Sequence, residues 1–377
     1  MLIGIEAAHA DKIQRTGVEE YCFQIIQSLK KQIPSSVRVI LYSNESLRGE
    51  LGVLPTNWQN KILKWPFKKG WSQIRLSFEF LFNPPDAFFA PGQLVPFFCP
   101  KNTIATVHDS AFLVYPSAYR FFSRMYLKFM NRLVVKKSKL IIVPSEFGKK
   151  ELIKFYGIKD KRIFMILEGY DKNKYKKICD EAAMEKVLKK YGIAKPFIMS
   201  VGRLEEKKNT AGIIKAFNSI RSKGEDMQLL LAGKPGAGFE KIKTEIDNSL
   251  FKNDILTPGW VDADDLPCLF NKAEVFVFPS FYEGFGIPVL EAMACGCPVV
   301  ASRGNSLSEV GGESVMYANS ESSEEIAEET LELLKNKELR IKNANFGLER
   351  VKMFSWEKSG SAVADILLGW QKNCNLL

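Results

Sequence analysis

Short apolar runs recur along the chain, with longer stretches of helical periodicity between them. Leu2-Ile-Gly-Ile5 opens as a strand. Val37-Arg-Val-Ile-Leu-Tyr42, Ala87-Phe-Phe-Ala90, Thr103-Ile-Ala-Thr-Val107, Leu140-Ile-Ile-Val143 and Ile163-Phe-Met-Ile-Leu167 follow in the same style. The first helix begins in Arg15-Thr-Gly-Val-Glu-Glu20. There Thr16 is the cap, Glu19 completes a capping box, and Tyr21, Ile25, Ile26 and Leu29 form the apolar face. Tyr170-Asp-Lys-Asn-Lys-Tyr-Lys-Lys177 is polar and charged, the composition of a linker. Beyond it the pattern restarts at Pro196-Phe-Ile-Met-Ser-Val201, and continues through Met227-Gln-Leu-Leu-Leu-Ala232, Ile255-Leu-Thr257, Val275-Phe-Val-Phe278 and Pro298-Val-Val-Ala301. Strands alternating with helices predict mostly parallel sheets covered on both faces. The expected architecture is α/β: two doubly wound, Rossmann-like domains, 1–170 and 171–354, facing across a cleft.

Ser280–Ala301 turns this fold into a candidate site. The apolar run Glu274-Val-Phe-Val-Phe-Pro279 reads as a buried strand, and Glu283 and Glu291 bracket what comes next. Gly284 and Gly286 permit close backbone approach, and Pro288 stands where a first helical turn tolerates proline. A helix starting near Ile287 aims unpaired N–H groups and its positive dipole end at the loop, which is an anion site. Glu291, about one turn in, reaches a ligand beside that terminus.

Other loops add to it. Gly202-Arg-Leu-Glu-Glu-Lys-Lys-Asn209 places Arg203 and Lys208 at a strand's carboxyl end, where two cations clamp a diphosphate. Leu231-Ala-Gly-Lys-Pro-Gly-Ala-Gly238 lacks the GK[ST] of a P-loop and reads as a turn near a nucleotide base. Asp262-Ala-Asp264 has the DxD form of a metal site, yet it directly precedes Leu266-Pro-Cys-Leu-Phe270. Either aspartate is therefore expected to cap that helix, and no metal is expected. Of the two histidines, His108 follows a strand's carboxyl end, where a functional role competes with a structural one; His9 follows the first strand with no evident task.

Composition narrows the class. With 377 residues, 46% hydrophobic and 25% charged, the chain suits two packed domains and excludes disorder. Seven scattered cysteines without a CxxC pair point to a reducing compartment rather than a disulfide framework or zinc site. No apolar run reaches membrane-span length and Met1–Ile5 is too short for a signal-peptide core, so the expected location is cytoplasmic.

Charge is unevenly placed. The first 175 residues carry 27 Lys and Arg against 14 Asp and Glu, and the remainder 26 against 29. That asymmetry predicts an anionic partner for the N-terminal half. Arg120, Arg124, Lys128, Arg132 and Lys136, four apart, make a cationic stripe on a helix whose other side carries Phe121, Phe122, Met125, Phe129, Met130 and Leu133. The reading is a stripe facing an anionic membrane surface while the apolar side packs on the sheet. Lys61-Ile-Leu-Lys-Trp-Pro-Phe-Lys-Lys-Gly-Trp71 adds a second basic-aromatic patch. No recognised nucleic-acid motif appears, which disfavours the alternative of a basic nucleic-acid-binding protein.

Taken together, Glu283-Gly-Phe-Gly-Ile-Pro-Val-Leu-Glu291 with its trailing Glu-Ala-Met-Ala-Cys-Gly-Cys-Pro-Val-Val-Ala resembles the retaining glycosyltransferases of family 4, which have the GT-B fold. Gly202-Arg-Leu with Lys208-Asn209, Gly259-Trp-Val with Asp265-Leu, Val107-His-Asp109 and Pro144-Ser-Glu-Phe147 extend the likeness over nearly the whole chain. The resemblance implies that Arg203 and Lys208 bind the donor diphosphate and Glu291 the ribose hydroxyls. It implies that Glu283 and the backbone of Gly284, Phe285 and Gly286 contact the donor sugar, with His108 beside sugar and phosphate. Gly17 would let the first helix's N-terminus approach the ligand, although the usual glycine pair is here Thr16-Gly17. Arg15 is a candidate for an acceptor phosphate. By the same likeness, residues 355–377, with Ser355-Trp-Glu357 and Leu367-Leu-Gly-Trp370, cross back as a helix onto the N-terminal, acceptor-binding domain.

The function expected is metal-independent, retaining transfer of a hexose from a sugar nucleotide to a lipid-linked or polysaccharide acceptor in envelope glycan synthesis. Mannose from GDP-mannose is favoured and a UDP-sugar is the alternative. The enzyme would work peripherally on the inner face of the cell membrane. A nucleotide-sugar epimerase of the same fold is the runner-up, and the Gly284–Glu291 arrangement favours transfer.

Overall fold

The computed structural model describes residues 1–67, 70–116 and 119–369, and these form two compact units. The first comprises Met1–Val114, Arg120–Gly169 and the segment from Ser355; the second comprises Tyr170–Phe354 together with a short excursion around Tyr115.

In the first unit, seven strands form one parallel sheet: β1 (Leu2–Glu6), β2 (Arg38–Ser43), β3 (Trp58–Ile62), β4 (Ala87–Ala90), β5 (Thr103–Thr106), β6 (Leu140–Val143) and β7 (Ile163–Met165), in the order β3-β2-β1-β4-β5-β6-β7. The register pairs Ile3 with Val39 on one side of β1 and with Ala87 on the other. The central strands are covered on both faces, so they read as unbroken apolar runs: β4 and β6 are buried at every position. Strand β3, at the edge, alternates polar residues behind a buried Trp58 and lies inside a stretch with no strand expectation. The helix Gly17–Gln32 packs against Trp356–Leu368, and they meet where a side chain on Gly360 would overlap Ser28. Trp370 and the rest of the tail lie outside the described residues.

The second unit repeats the plan with β8 (Phe197–Val201), β9 (Gln228–Ala232), β10 (Ile255–Gly259), β11 (Val275–Phe278), β12 (Val299–Ser302) and β13 (Met316–Ala318), ordered β10-β9-β8-β11-β12-β13. In each sheet the strand order reverses direction beside its first strand, between β1 and β4 and between β8 and β11. Open parallel sheets bind ligands at such a switch point, outside the strands' carboxyl ends. The core below β8 and β11 is built from Ile198, Ile214, Phe217, Leu229, Val275 and Val277.

Three expectations need correction. The 170–177 segment is not a free linker: Tyr175 is buried and rests edge-on against Phe270, while Asn271 accepts from the Ile178 amide at 2.9 Å. Asp262 and Asp264 do not cap the helix Leu266–Lys272, whose N-terminal flanking residue is Asp265. They pair instead with Lys190 at 2.6 Å and Lys174 at 3.0 Å.

The third correction concerns the cationic helix, Phe121–Lys137. Its apolar residues do not all face the sheet: Met130 and Val134 are buried, whereas Phe121, Phe122, Met125 and Phe129 are exposed. Among the cations, Arg124 donates to the Phe112 carbonyl at 3.1 Å, while Arg120, Arg132 and Lys136 are exposed and Lys128 is half-buried. In the second basic patch Lys61 is tied to the carboxylate of Glu79, and Lys68 and Lys69 lie outside the described residues.

Candidate active site

Two strands end at the second unit's switch point. Past β8, Gly202 has φ 148° and its amide donates to the Ala232 carbonyl at 2.9 Å. The chain then makes a tight turn at Glu206–Lys208. Asn209 ends that turn in a left-handed conformation (φ 54°), and its side-chain amide donates to the carbonyls of Ser320 (2.6 Å) and Pro279 (3.3 Å). Lys208 is thereby locked beside the loop that follows β11. Its Nζ lies 2.5 Å from Glu283 Oε1 and 4.9 Å from the centre of the Phe278 ring. Arg203, directly after Gly202, is exposed.

The glycine-rich loop 233–238 serves this turn directly. Leu204 N–H donates to the Lys234 carbonyl at 3.0 Å, and Gly236 N–H returns to the Leu204 carbonyl at 2.9 Å. Gly233 approaches so closely that a side chain there would overlap the Gly202 carbonyl oxygen. The Lys234 ammonium lies over the Trp260 ring, 5.2 Å from its centre.

Past β11, the loop Ser280–Gly286 is held from outside. Ser302 Oγ and Asn305 Nδ2 donate to the Ser280 carbonyl at 2.6 and 3.2 Å, and Ser306 Oγ bridges the carbonyls of Glu283 (2.8 Å) and Phe285 (3.0 Å). These three residues escaped sequence reasoning. Their only signal is a cluster of small polar residues directly after an apolar strand. Phe285 is buried against Phe354, which leaves its backbone rather than its ring for a ligand. Gly286 has φ 116° and precedes the helix Ile287–Ala294, with Pro288 in its first turn and Glu291 half-buried on it. Arg203, Lys208, Glu283, Gly284 and Gly286 are thus borne on the loops that follow two hydrogen-bonded strands, β8 and β11, and Glu291 on the helix after the second loop.

The first unit holds the other candidates. His108, 8% exposed, follows β5. Its Nε2 lies 2.7 Å from the Pro91 carbonyl, so Nε2 carries a proton. Nδ1 faces the buried Glu168 carboxylate at 3.5 Å, and the Tyr21 ring lies edge-on at 4.7 Å. Gln93, left-handed at φ 65°, accepts from the His108 amide at 3.1 Å. Burial pushes the Tyr21 hydroxyl pKa up, which keeps that ring neutral. Gly17 opens the first helix with no protein atom near the position of an added side chain. Arg15 pairs with Glu20 at 2.6 Å and covers the Phe23 ring at 3.9 Å.

This constellation, two cations and two acids around a glycine-flanked helix N-terminus, suits binding of a diphosphate with attached sugars. The chain matches the family described as "Glycosyl transferases group 1" over residues 183–349 and that described as "Glycosyltransferase Family 4" over residues 15–174. It belongs to glycosyltransferase family 4 and is a glycosyltransferase. It is 28% identical over 294 residues to the O-antigen chain mannosyltransferase B of Escherichia coli, covering 78% of this chain and 74% of that one. It is 26% identical over 241 residues to the mannosylfructose-phosphate synthase of Agrobacterium fabrum (61% and 53% covered). In fold it is similar to HepE of Anabaena, crystallised with UDP-glucose, with a TM-score of 0.76 at 16% identity, 98% of this chain and 100% of that one. Among the described residues no helix is long and apolar enough to cross a membrane.

Proposed function

We propose that the protein is a retaining, metal-independent hexosyltransferase that moves mannose from GDP-mannose to a lipid-linked or polysaccharide acceptor of an envelope glycan. A UDP-sugar is the alternative donor. The observation that carries this is the Lys208–Glu283 contact beside the Gly286-flanked helix terminus. Cleaving a sugar–phosphate bond builds positive character on the sugar and negative charge on the departing diphosphate. Arg203, Lys208 and the helix N-terminus stabilise the latter, the role a metal plays elsewhere. Glu283 positions the sugar, Glu291 takes the ribose hydroxyls, and the departing phosphate helps deprotonate the acceptor on the same face. The mannosyl donor and O-antigen-like acceptor are supported by the Escherichia coli relative's name.

We place the enzyme on the inner face of the cell membrane. Phe121, Phe122, Met125 and Phe129 are exposed on the cationic helix, and Phe129 meets Phe97 at 6.4 Å. Phe97 and Phe98 hydrogen-bond back to Gln73 and Ser77, beside exposed Phe78 and Phe82. Aromatic residues among cations suit the interface of an anionic bilayer. The test of activity is release of nucleoside diphosphate from a panel of sugar nucleotides by the wild type, Glu283→Ala and Lys208→Ala. Full turnover in both variants overturns the site.

A further inference from the structure

Glu6 ends β1 and is almost completely buried, at 1% exposure. Three residues on, His9 turns back onto it: the His9 amide donates to Glu6 Oε1 at 3.2 Å, and Nδ1 lies 2.8 Å from Oε2. A carboxylate accepts only, so Nδ1 carries the proton and the neutral ring has its lone pair on Nε2. The ring also rests on Gly92, just past β4, where an added Cβ would come within 2.8 Å of Cγ and 2.9 Å of Nδ1. Carboxylate and glycine together fix the imidazole. The His9 side chain is 27% exposed, and Nε2 has no partner among the described residues. β1, which carries Glu6 and leads to His9, and β4, which leads to Gly92, flank the first unit's switch point, and His108 follows the next strand along. None of the donor residues is involved.

We propose that the Glu6–His9 pair is an acceptor site, in which neutral His9 accepts a hydrogen bond at Nε2 from a hydroxyl of the sugar acceptor. It rests on the transferase reading. His9 is a positioning residue whose orientation and basicity are set by Glu6. The charged groups around it are Glu6 and Glu19, which raise its pKa above the usual histidine value, and Lys12, which opposes them. Glu6 is the largest influence. Protonation removes the lone pair, so acceptor binding is lost as pH falls through the His9 pKa.

With only two histidines in the chain, both imidazoles are separable in nitrogen-15 NMR spectra of the full-length protein, assigned with His9→Gln. The probes are methyl hexopyranosides, titrated against the wild type. At least one is expected to shift the His9 Nε2 resonance and to stimulate nucleoside diphosphate release. His9→Ala should raise the KM for that glycoside about tenfold, the worth of one hydrogen bond, while the donor KM stays at its wild-type value. Glu6→Gln removes the charge that raises the His9 pKa, so the acid limb of kcat/KM for the glycoside should move to lower pH. Gly92→Ala, which displaces the ring without removing either ionisable group, should reproduce the KM effect even if Glu6→Gln does not fold. No shift at His9 with any glycoside, an unchanged glycoside KM in His9→Ala and Gly92→Ala, or an acid limb unmoved in folded Glu6→Gln overturns the proposal. A wild type that releases no nucleoside diphosphate from any sugar nucleotide overturns the transferase reading instead, and the His9 titration still decides the binding site.

Discussion

The ammonium of Lys208 and the carboxylate of Glu283 lie 2.5 Å apart, although 75 residues separate them in the chain. The cation proposed for the diphosphate is thus in contact with the acid proposed for the sugar. On the proposed roles, a bound donor would divide the pair, with Lys208 turned toward phosphate and Glu283 toward hydroxyls. The Lys208 stem packs beside Gly202, and its ammonium lies over the Phe278 ring.

Replacing Glu283 by Gln removes this competitor while keeping the shape. Nucleoside diphosphate should then bind about three- to tenfold more tightly by calorimetry, consistent with loss of roughly 1 kcal/mol of competing ion-pair energy. Transfer should fall about a hundredfold, because the carboxylate no longer orients the sugar. Tighter product binding together with slower transfer is the distinguishing pattern. Weaker binding of both donor and product would mean that Glu283 only holds Lys208 in place.

Gly233 gives a purely structural test. A methyl group there would overlap the Gly202 carbonyl, with backbone on both sides and no flexible side chain to yield. Gly233→Ala should destabilise the second unit by about 3 kcal/mol or more and lower Tm by roughly 10 °C. A Tm within a degree of the wild type would show that the two loops separate freely.

What was legible in the chain followed from how many constraints act locally. Val275–Phe278 announced itself because burial on both faces leaves no polar position, whereas the edge strands β3 and β13 (Trp58–Ile62 and Met316–Ala318) left too little pattern to recognise. The Glu283–Glu291 stretch was legible because glycine, proline and acid each answer to the geometry of one loop and one helix end. Ser302, Asn305 and Ser306 were not, since their partners lie some twenty residues back and only the β11–β12 pairing brings them near. The pattern in Phe121–Lys137 showed that faces exist but not which one turns inward. Met130 and Val134 anchor the helix, and the aromatic residues before them face solvent instead of the sheet.

These exposed aromatic side chains are open to test at a membrane surface. Phe121 is 70% exposed and Phe122 85%. Replacing both by serine removes apolar area that an interface would bury, about 1.5–3 kcal/mol for each ring when fully inserted. Sedimentation with anionic vesicles should fall at least about tenfold, with the circular dichroism spectrum unchanged, because neither ring supports the core. Raising ionic strength should weaken wild-type binding further, through screening of Arg120, Arg132 and Lys136. Equal binding by the variant would assign the aromatic patch to some other surface.

Gly17 should behave in the opposite way to Gly233. It stands at the first position of its helix, its φ is not in the left-handed region, and nothing in the protein occupies the place of an added side chain. Packing therefore does not explain the glycine; a ligand that approaches the helix N-terminus would. Gly17→Val should leave Tm within about 1–2 °C of the wild type, as surface substitutions away from special features usually do. It should nevertheless lower kcat/KM for the sugar acceptor at least about tenfold, because the isopropyl group fills the space that a ligand at this helix end would enter. Stability lost without activity at one glycine, and activity lost without stability at the other, would separate the fold's requirement from the ligand's. Wild-type turnover in Gly17→Val would remove this helix end from the ligand-binding residues of the first unit.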